Sequence, residues 1–158
     1  MRIFHRKTAL LFLLVSLSVP LFAQTAAKLE ALLNEPELTW SAAAAFVLEA
    51  SDFHPADSSN GQDAFSLAAE RKWLPKNAAP EDPARLNGVA LLLMGSFDLK
   101  GGIFYNLSKS PHHAYRELVY KGMIRGDTDP GMPVSGQQLL LMISKILSVK
   151  EKQEAAQI

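Results

Sequence analysis

Cysteine is absent from this chain, and its absence excludes several classes of protein. Without cysteine there is no disulfide framework, no thiol nucleophile and no N-terminal cysteine for lipid attachment. An excess of charge of one sign is also lacking, because 16 basic residues balance 16 acidic ones. No basic stripe is visible, so we expect no nucleic-acid partner. The fold must therefore be held together by its apolar core.

Long apolar runs are lacking too, except near the N-terminus. Residues 1–23 begin with three basic side chains, continue with an apolar core over residues 9–19 and end in Pro20 and small residues. This layout predicts a secretory signal peptide that is cleaved after Ala23 or a few residues later. An uncleaved anchor is the alternative, although the apolar run is short for a membrane span.

Export has consequences for the rest of the chain. Removal of residues 1–23 takes away three basic residues and leaves 13 basic against 16 acidic side chains. We expect an exported protein of the periplasm or cell surface, with no membrane span after signal cleavage. The remaining chain is predicted to form a single all-α domain over residues 24–149, followed by a polar tail over residues 150–158.

One pattern for the start of a helix occurs three times, at a spacing of 48 residues. Thr39, Asn87 and Ser135 each follow an apolar residue and precede a strongly apolar run. Their side-chain oxygens suit the N-cap position, and the flanking apolar residues suit a hydrophobic staple. Because the runs are apolar nearly all round, they belong in a core. The predicted helices span residues 40–51, 88–97 and 136–148.

Shorter amphipathic helices are predicted between the apolar ones. Ser110 is a cap candidate, Pro111 suits the first helical position, and Gly122 suits the end of that helix. Loops rich in proline and glycine follow, and residues 101–108 are the one stretch with an extended look. The fold class is therefore all-α, with three helix–loop–helix units of about 48 residues in a pseudo-three-fold arrangement.

This organisation resembles the S-layer homology (SLH) repeat over roughly residues 38–148. The likeness is clearest in Gly122-Met123-Ile124-Arg125-Gly126, followed by Pro130, Pro133 and the Ser135-led apolar helix. SLH repeats often occur in threes that form a three-fold helical prism. The resemblance implies a module that holds proteins to cell-wall polymers or peptidoglycan.

The chain departs from the SLH pattern at the start of each apolar helix. The family usually carries Thr-Arg-Ala-Glu there, whereas the first segment of this chain reads Thr39-Trp40-Ser41-Ala42. The basic and acidic members are also missing after Asn87 and Ser135. The resemblance therefore predicts the fold more directly than it predicts the ligand.

Four residues are candidates for ligand binding: Trp40, Trp73, Arg125 and Asp127. Trp40 stands where the SLH family has arginine, so an aromatic platform for a sugar ring is one interpretation. Packing of Trp40 against the neighbouring unit is the alternative, and Trp73 is expected in the core at a helix end. Arg125 and Asp127 flank Gly126 in a cell-adhesion tripeptide, which coincides with the glycine of the repeat.

No catalytic or metal site emerges from the sequence, and we expect no cofactor. His113 and Glu117 are four residues apart, as metal ligands on a helix can be, but a solvated first turn explains them as well. Asp127 and Asp129 are spaced like the start of a calcium loop, and a turn before a helix is the alternative.

These features predict a non-catalytic envelope protein that binds a cell-wall polymer or another envelope protein through grooves between its units. An accessory subunit of an outer-membrane assembly is the alternative. An enzyme that acts on wall material is the function that the sequence favours least, because no nucleophile or acid–base constellation is visible.

Overall fold

The computed structural model describes residues 27, 29–51, 53 and 61–156. The chain divides into two compact units, residues 1–34 and residues 35–158. Within the first unit, residues 29–34 are helical. The predicted signal peptide lies outside the described residues.

The second unit is built from helices. In chain order they are α1 (Trp40–Ala50), α2 (Gly61–Glu70), α3 (Leu86–Ser96), α4 (Ile103–Ser108), α5 (Pro111–Tyr120) and α6 (Gly136–Ala155). Among the described residues, β structure is limited to two isolated antiparallel bridges, Thr39–Pro83 and Arg85–Pro133. The predicted all-α class is confirmed.

Helix α3 lies at the centre of this unit because its whole circumference is apolar. Nine of its eleven residues are buried. It packs against α1 and α5, while α1 also packs against α2 and α6. A helix that is apolar all round must be covered on every side, and its neighbours provide that cover.

Three backbone hydrogen bonds form a closed ring at the starts of the long helices. Leu38 N–H donates to Val134 O (2.9 Å), Val134 N–H to Ala84 O (2.9 Å) and Ala84 N–H to Leu38 O (2.7 Å). All three side chains are fully or almost fully buried. Each chain segment therefore donates to one partner and accepts from the other, two residues before the first residue of α1, α3 or α6.

Backbone carbonyls also satisfy the first N–H groups of these helices, which have no partner inside a helix. Trp40 N–H donates to Asp82 O, Leu86 N–H to Met132 O and Gly136 N–H to Glu35 O, each at 3.0 Å. These bonds join each helix start to a neighbouring segment. The starts are therefore fixed by tertiary contacts as well as by side-chain caps.

Two of the three predicted caps are found, and the third needs a correction. Thr39 accepts a hydrogen bond from Ala42 N–H at the start of α1. Ser135 forms a capping box with Gln138 at the start of α6. Asn87 does not cap α3, because the helix already begins at Leu86 and its N-cap residue is Arg85, which makes no side-chain capping bond.

The shorter helices agree with the prediction at several points. Ser110 caps α5 by accepting from His113 N–H, Pro111 is its first residue, and Gly122 ends it with φ of 71°. After α2 the same left-handed position is occupied by Lys72, with φ of 60°. After each of these left-handed residues the chain turns back to the preceding helix. Trp73 N–H donates to Ala68 O of α2, and Met123 N–H donates to Leu118 O of α5, each at 2.9 Å.

Two boundaries differ from the sequence prediction. The stretch that looked extended forms the short helix α4, in which Tyr105 is the buried residue. Helix α6 continues to Ala155 rather than ending at residue 148. Residues 150–155 of the predicted polar tail are thus helical, and their side chains are exposed apart from Lys150, which is partly covered.

Candidate binding groove

A groove opens where the start of α1 meets the loop that leads into α3. Its volume is about 410 Å³. The lining residues are Trp40, Pro75, Asn77, Ala78, Asp82, Pro83, Arg85, Asn87 and Pro111. The groove therefore lies between the first and second of the three predicted helix–loop–helix units. It combines apolar walls with polar side chains.

Trp40 forms the apolar part of this groove and is itself 4% exposed. Its indole fits against Gly88 of α3, where an added Cβ atom would lie 2.5 Å from Cη2 of the ring and 2.7 Å from Cγ of Pro75. A side chain at position 88 would displace the ring. The close fit favours packing between segments over an exposed aromatic platform, because little of the ring face is left for a sugar.

The polar side chains of the groove come from the loop before α3 and the first turn of that helix. Arg85 and Asp82 are exposed, while Asn87 is half-buried. The guanidinium of Arg85 donates to Gly131 O at 2.6 Å, which fixes one end of that side chain on the next loop. The groove thus offers one cation, one carboxylate and amide groups within a small space.

Trp73 lies outside this groove and fills a second notch on α3. A Cβ atom added to Gly95 would collide with its indole ring. The ring of Phe53 meets Trp73 edge-on at 5.3 Å, and the guanidinium of Arg71 lies 4.6 Å from the Phe53 ring centroid. Gly88 and Gly95 are seven residues apart, two turns of one helix face, and each accommodates a tryptophan.

Arg125 and Asp127 also lie outside the groove. Both side chains are strongly exposed and face each other at 3.8 Å between Nε and Oδ1. An exposed ion pair of this kind contributes little to stability. Asp129 accepts from Gly131 N–H at 2.8 Å, a local turn bond. The structure therefore does not bring Arg125 and Asp127 together with Trp40 in the groove.

The His–Glu pair of α5 is engaged in local contacts. His113 Nδ1 lies 2.7 Å from Ser108 Oγ, and its ring stacks on Phe104 at 6.0 Å between centroids. Glu117 Oε1 accepts from Gly102 N–H at 2.9 Å. Within the part of the chain that the structure describes, no group of three or more potential ligand side chains is close enough to hold a metal ion.

Sequence reasoning missed the loop residues of the groove, Asn77, Asp82 and Arg85. A usable signal was present, because the Pro-x-x-Pro pairs of residues 80–83 and 130–133 precede α3 and α6 at equal distances. This correspondence places Arg85, rather than Asn87, opposite Ser135. The residues just before Arg85, such as Asp82, then lie against the start of α1.

Comparisons with protein families, with curated proteins and with solved structures find no match for this chain. The SLH resemblance accordingly stays a prediction.

Proposed function

We propose that this chain is a non-catalytic module of the cell envelope that binds a wall polymer in the groove beside Trp40. The predicted export signal and the SLH resemblance suggest the compartment and the class of ligand. The polymer would lie between the first and second of three helix–loop–helix units arranged about a pseudo-three-fold axis.

One observation carries the proposal: the hydrogen-bonded ring of Leu38, Ala84 and Val134. Three equivalent segments that each donate and accept once are the arrangement expected around a three-fold axis. The first-turn bonds of Trp40, Leu86 and Gly136 form a second cyclic set two residues further along, in which each segment donates to the partner from which it accepts in the ring. These equivalences correct the register of the middle unit by two residues and support the SLH-like arrangement.

The chemistry of the groove also supports a polymer rich in hydroxyl and amide groups. Asn77 and Asn87 offer amide donors and acceptors, while Asp82 and Arg85 offer one charge of each sign. Sites for small polar ligands commonly combine an apolar floor with a few such groups. In this groove Pro75, Ala78 and Pro83, which are more exposed than Trp40, supply the apolar surface.

A pull-down with isolated peptidoglycan tests the proposal. We expect the protein to be retained at moderate salt, and Asn87→Ala to reduce retention several-fold. Gln137→Ala is the matched control, because Gln137 is the second residue of α6 as Asn87 is of α3, is exposed and does not line the groove. Absence of retention, or equal loss in both variants, would refute wall binding through this groove.

A further inference from the structure

Helix α4 exposes three large apolar side chains on one face. Ile103 is 83% exposed, Phe104 73% and Leu107 85%. Residues at these spacings lie side by side on a helix. Tyr105, on the opposite side, is 6% exposed. Single exposed apolar residues are ordinary on protein surfaces, but a contiguous group usually marks a binding surface.

The outward orientation of α4 is fixed by contacts at both of its ends. The Asn106 amide donates to Gly101 O at 2.9 Å, and Gly102 N–H donates to Glu117 Oε1 at 2.9 Å. Lys109 ends the helix in the left-handed region and donates its N–H to Tyr105 O. The helix also packs against α5. A rearrangement that hides the three apolar side chains would break these bonds.

Positive charge surrounds this face. Lys100 and Lys109 lie just before and just after α4, and Arg116 lies on α5; all three are exposed. Between residues 99 and 116 the sequence contains these three basic residues and no acidic one. An apolar face bordered by basic side chains is typical of segments that bind anionic membrane surfaces.

Two acidic residues, Asp98 and Glu117, flank this stretch of the sequence. Burial raises the pKa of the Tyr105 hydroxyl, and the negative charges of Asp98 and Glu117 raise this pKa further. Glu117 is in addition tied to Gly102.

We propose that α4 and its flanking lysines dock this protein on the surface of an anionic lipid bilayer. Ile103, Phe104 and Leu107 enter the headgroup region, while Lys100 and Lys109 pair with lipid phosphates. No helix among the described residues is long and apolar enough to cross a membrane. The proposed contact is made by one surface helix. The proposal does not depend on wall binding by the groove.

A second copy of the chain fits this face less well than a bilayer. Three side chains that are 73–85% exposed provide an apolar area on the order of 500 Å², taking about 150–250 Å² for each large side chain. A stable interface buries about 800 Å² on each partner. In a two-fold dimer the same patch would meet itself, so Lys100 and Lys109 would face like charges. A bilayer presents the opposite charge instead.

The absence of cysteine permits a site-specific test on the full chain. Leu107→Cys is labelled with an environment-sensitive fluorophore and mixed with vesicles of equimolar phosphatidylglycerol and phosphatidylcholine. We expect a blue shift and a several-fold rise in emission, both reduced at about 0.5 M salt because the charges are screened. Vesicles of phosphatidylcholine alone should produce neither change.

The control label is placed at Leu141→Cys, since Leu141 is an apolar residue with 59% exposure on a different helix, α6. Its emission should stay that of an aqueous site. This control also separates docking by α4 from general adsorption of the protein to vesicles, which would shift both labels.

Two variants complete the test. Ile103→Ser combined with Phe104→Ser should weaken vesicle binding by about tenfold or more, with unchanged far-ultraviolet circular dichroism. Lys100→Gln combined with Lys109→Gln should remove the preference for anionic vesicles. An unshifted label at position 107 would overturn the proposal, and so would an equal shift on neutral vesicles. A dimer in light scattering that the serine pair abolishes would also overturn it.

Discussion

Helices α3 and α4 are neighbours in the chain and both are rich in apolar residues, yet one is buried and the other is exposed. In α3 nine of eleven residues are buried, whereas α4 buries Tyr105. The difference is in the partners: α1 and α5 cover α3, while the outer face of α4 has no cover among the described residues. An apolar composition therefore indicates that a segment packs against a partner. The fold shows whether that partner is part of the same chain or another molecule.

Replacement of one leucine by alanine in each helix should give the largest difference in the free energy of unfolding. Leu92 of α3 is 0% exposed and Leu107 of α4 is 85% exposed. Leu92→Ala should lower the free energy of unfolding by about 2–5 kcal/mol, because it leaves a cavity in a packed core. Leu107→Ala should change it by less than about 0.5 kcal/mol. Urea unfolding curves measure both values, and equal losses would contradict the assignment of α4 as an exposed surface.

The glycines of α3 provide the second contrast, because they allow its close packing. At an open helical site, glycine to alanine would stabilise by about 1 kcal/mol. Gly95→Ala should instead destabilise by about 1–3 kcal/mol, since the new methyl group collides with the Trp73 ring. The measurement is thermal or urea unfolding, with tryptophan fluorescence as a second signal.

A double variant supplies the control for Gly95→Ala. In a Trp73→Ala background the collision is absent, so the glycine replacement should be neutral or stabilising there. The two changes would then be strongly non-additive. Additive losses would show that Gly95 matters for another reason than the tryptophan notch.

The starts of α3 and α6 provide a third, smaller contrast. Ser135→Ala should cost about 0.5–2 kcal/mol, because it removes a capping bond. Asn87→Ala should cost less than about 0.5 kcal/mol, because Asn87 is inside α3 and the first N–H groups of this helix bind Met132 O and Pro130 O. The difference between the two melting temperatures is the measurement. A cost for Asn87 equal to that for Ser135 would restore the cap assignment.

The register of α3 was predicted wrongly for a physical reason. A helix that is buried on every side is apolar at nearly every position, so its apolar pattern does not fix where the helix begins. The alignment of α3 with α6 can therefore be shifted by two residues without disturbing the pattern. The proline pairs of residues 80–83 and 130–133 do fix the alignment, because the second pair follows the first by 50 residues rather than 48. They align Arg85 with Ser135. The presence of the helices and most of their ends were predictable, because N-cap residues, prolines and Gly122 act on the backbone within a few residues of their own position.

The groove and the exposed face of α4 were less predictable, because both depend on tertiary contacts. Trp40 is buried by its fit to Gly88, more than forty residues away in the sequence. The loop residues Asn77 and Asp82 reach the groove because the hydrogen-bonded ring brings two segments together. No local pattern around these residues encodes that juxtaposition.

The smallest expected effect concerns the buried side of α4. Burial of Tyr105, helped by the charges of Asp98 and Glu117, raises the pKa of its hydroxyl above the ordinary value of 10.0. Below about pH 10 the hydroxyl is protonated in both the folded and the unfolded state. As the pH rises beyond 10, the unfolded chain releases this proton first, so the free energy of unfolding falls until the folded state also titrates.

Tyr105→Phe should therefore lose less stability than the wild-type protein between pH 9 and pH 11, whatever its stability at neutral pH. Urea midpoints at the two pH values, compared between the proteins, measure the difference, and Asp98→Asn should reduce it in part. Identical pH dependence in wild type and Tyr105→Phe would mean that the hydroxyl is solvated like any exposed tyrosine. Tyr105 would then not anchor α4, and the outward position of Ile103, Phe104 and Leu107 would depend on the hydrogen bonds at the two ends of the helix.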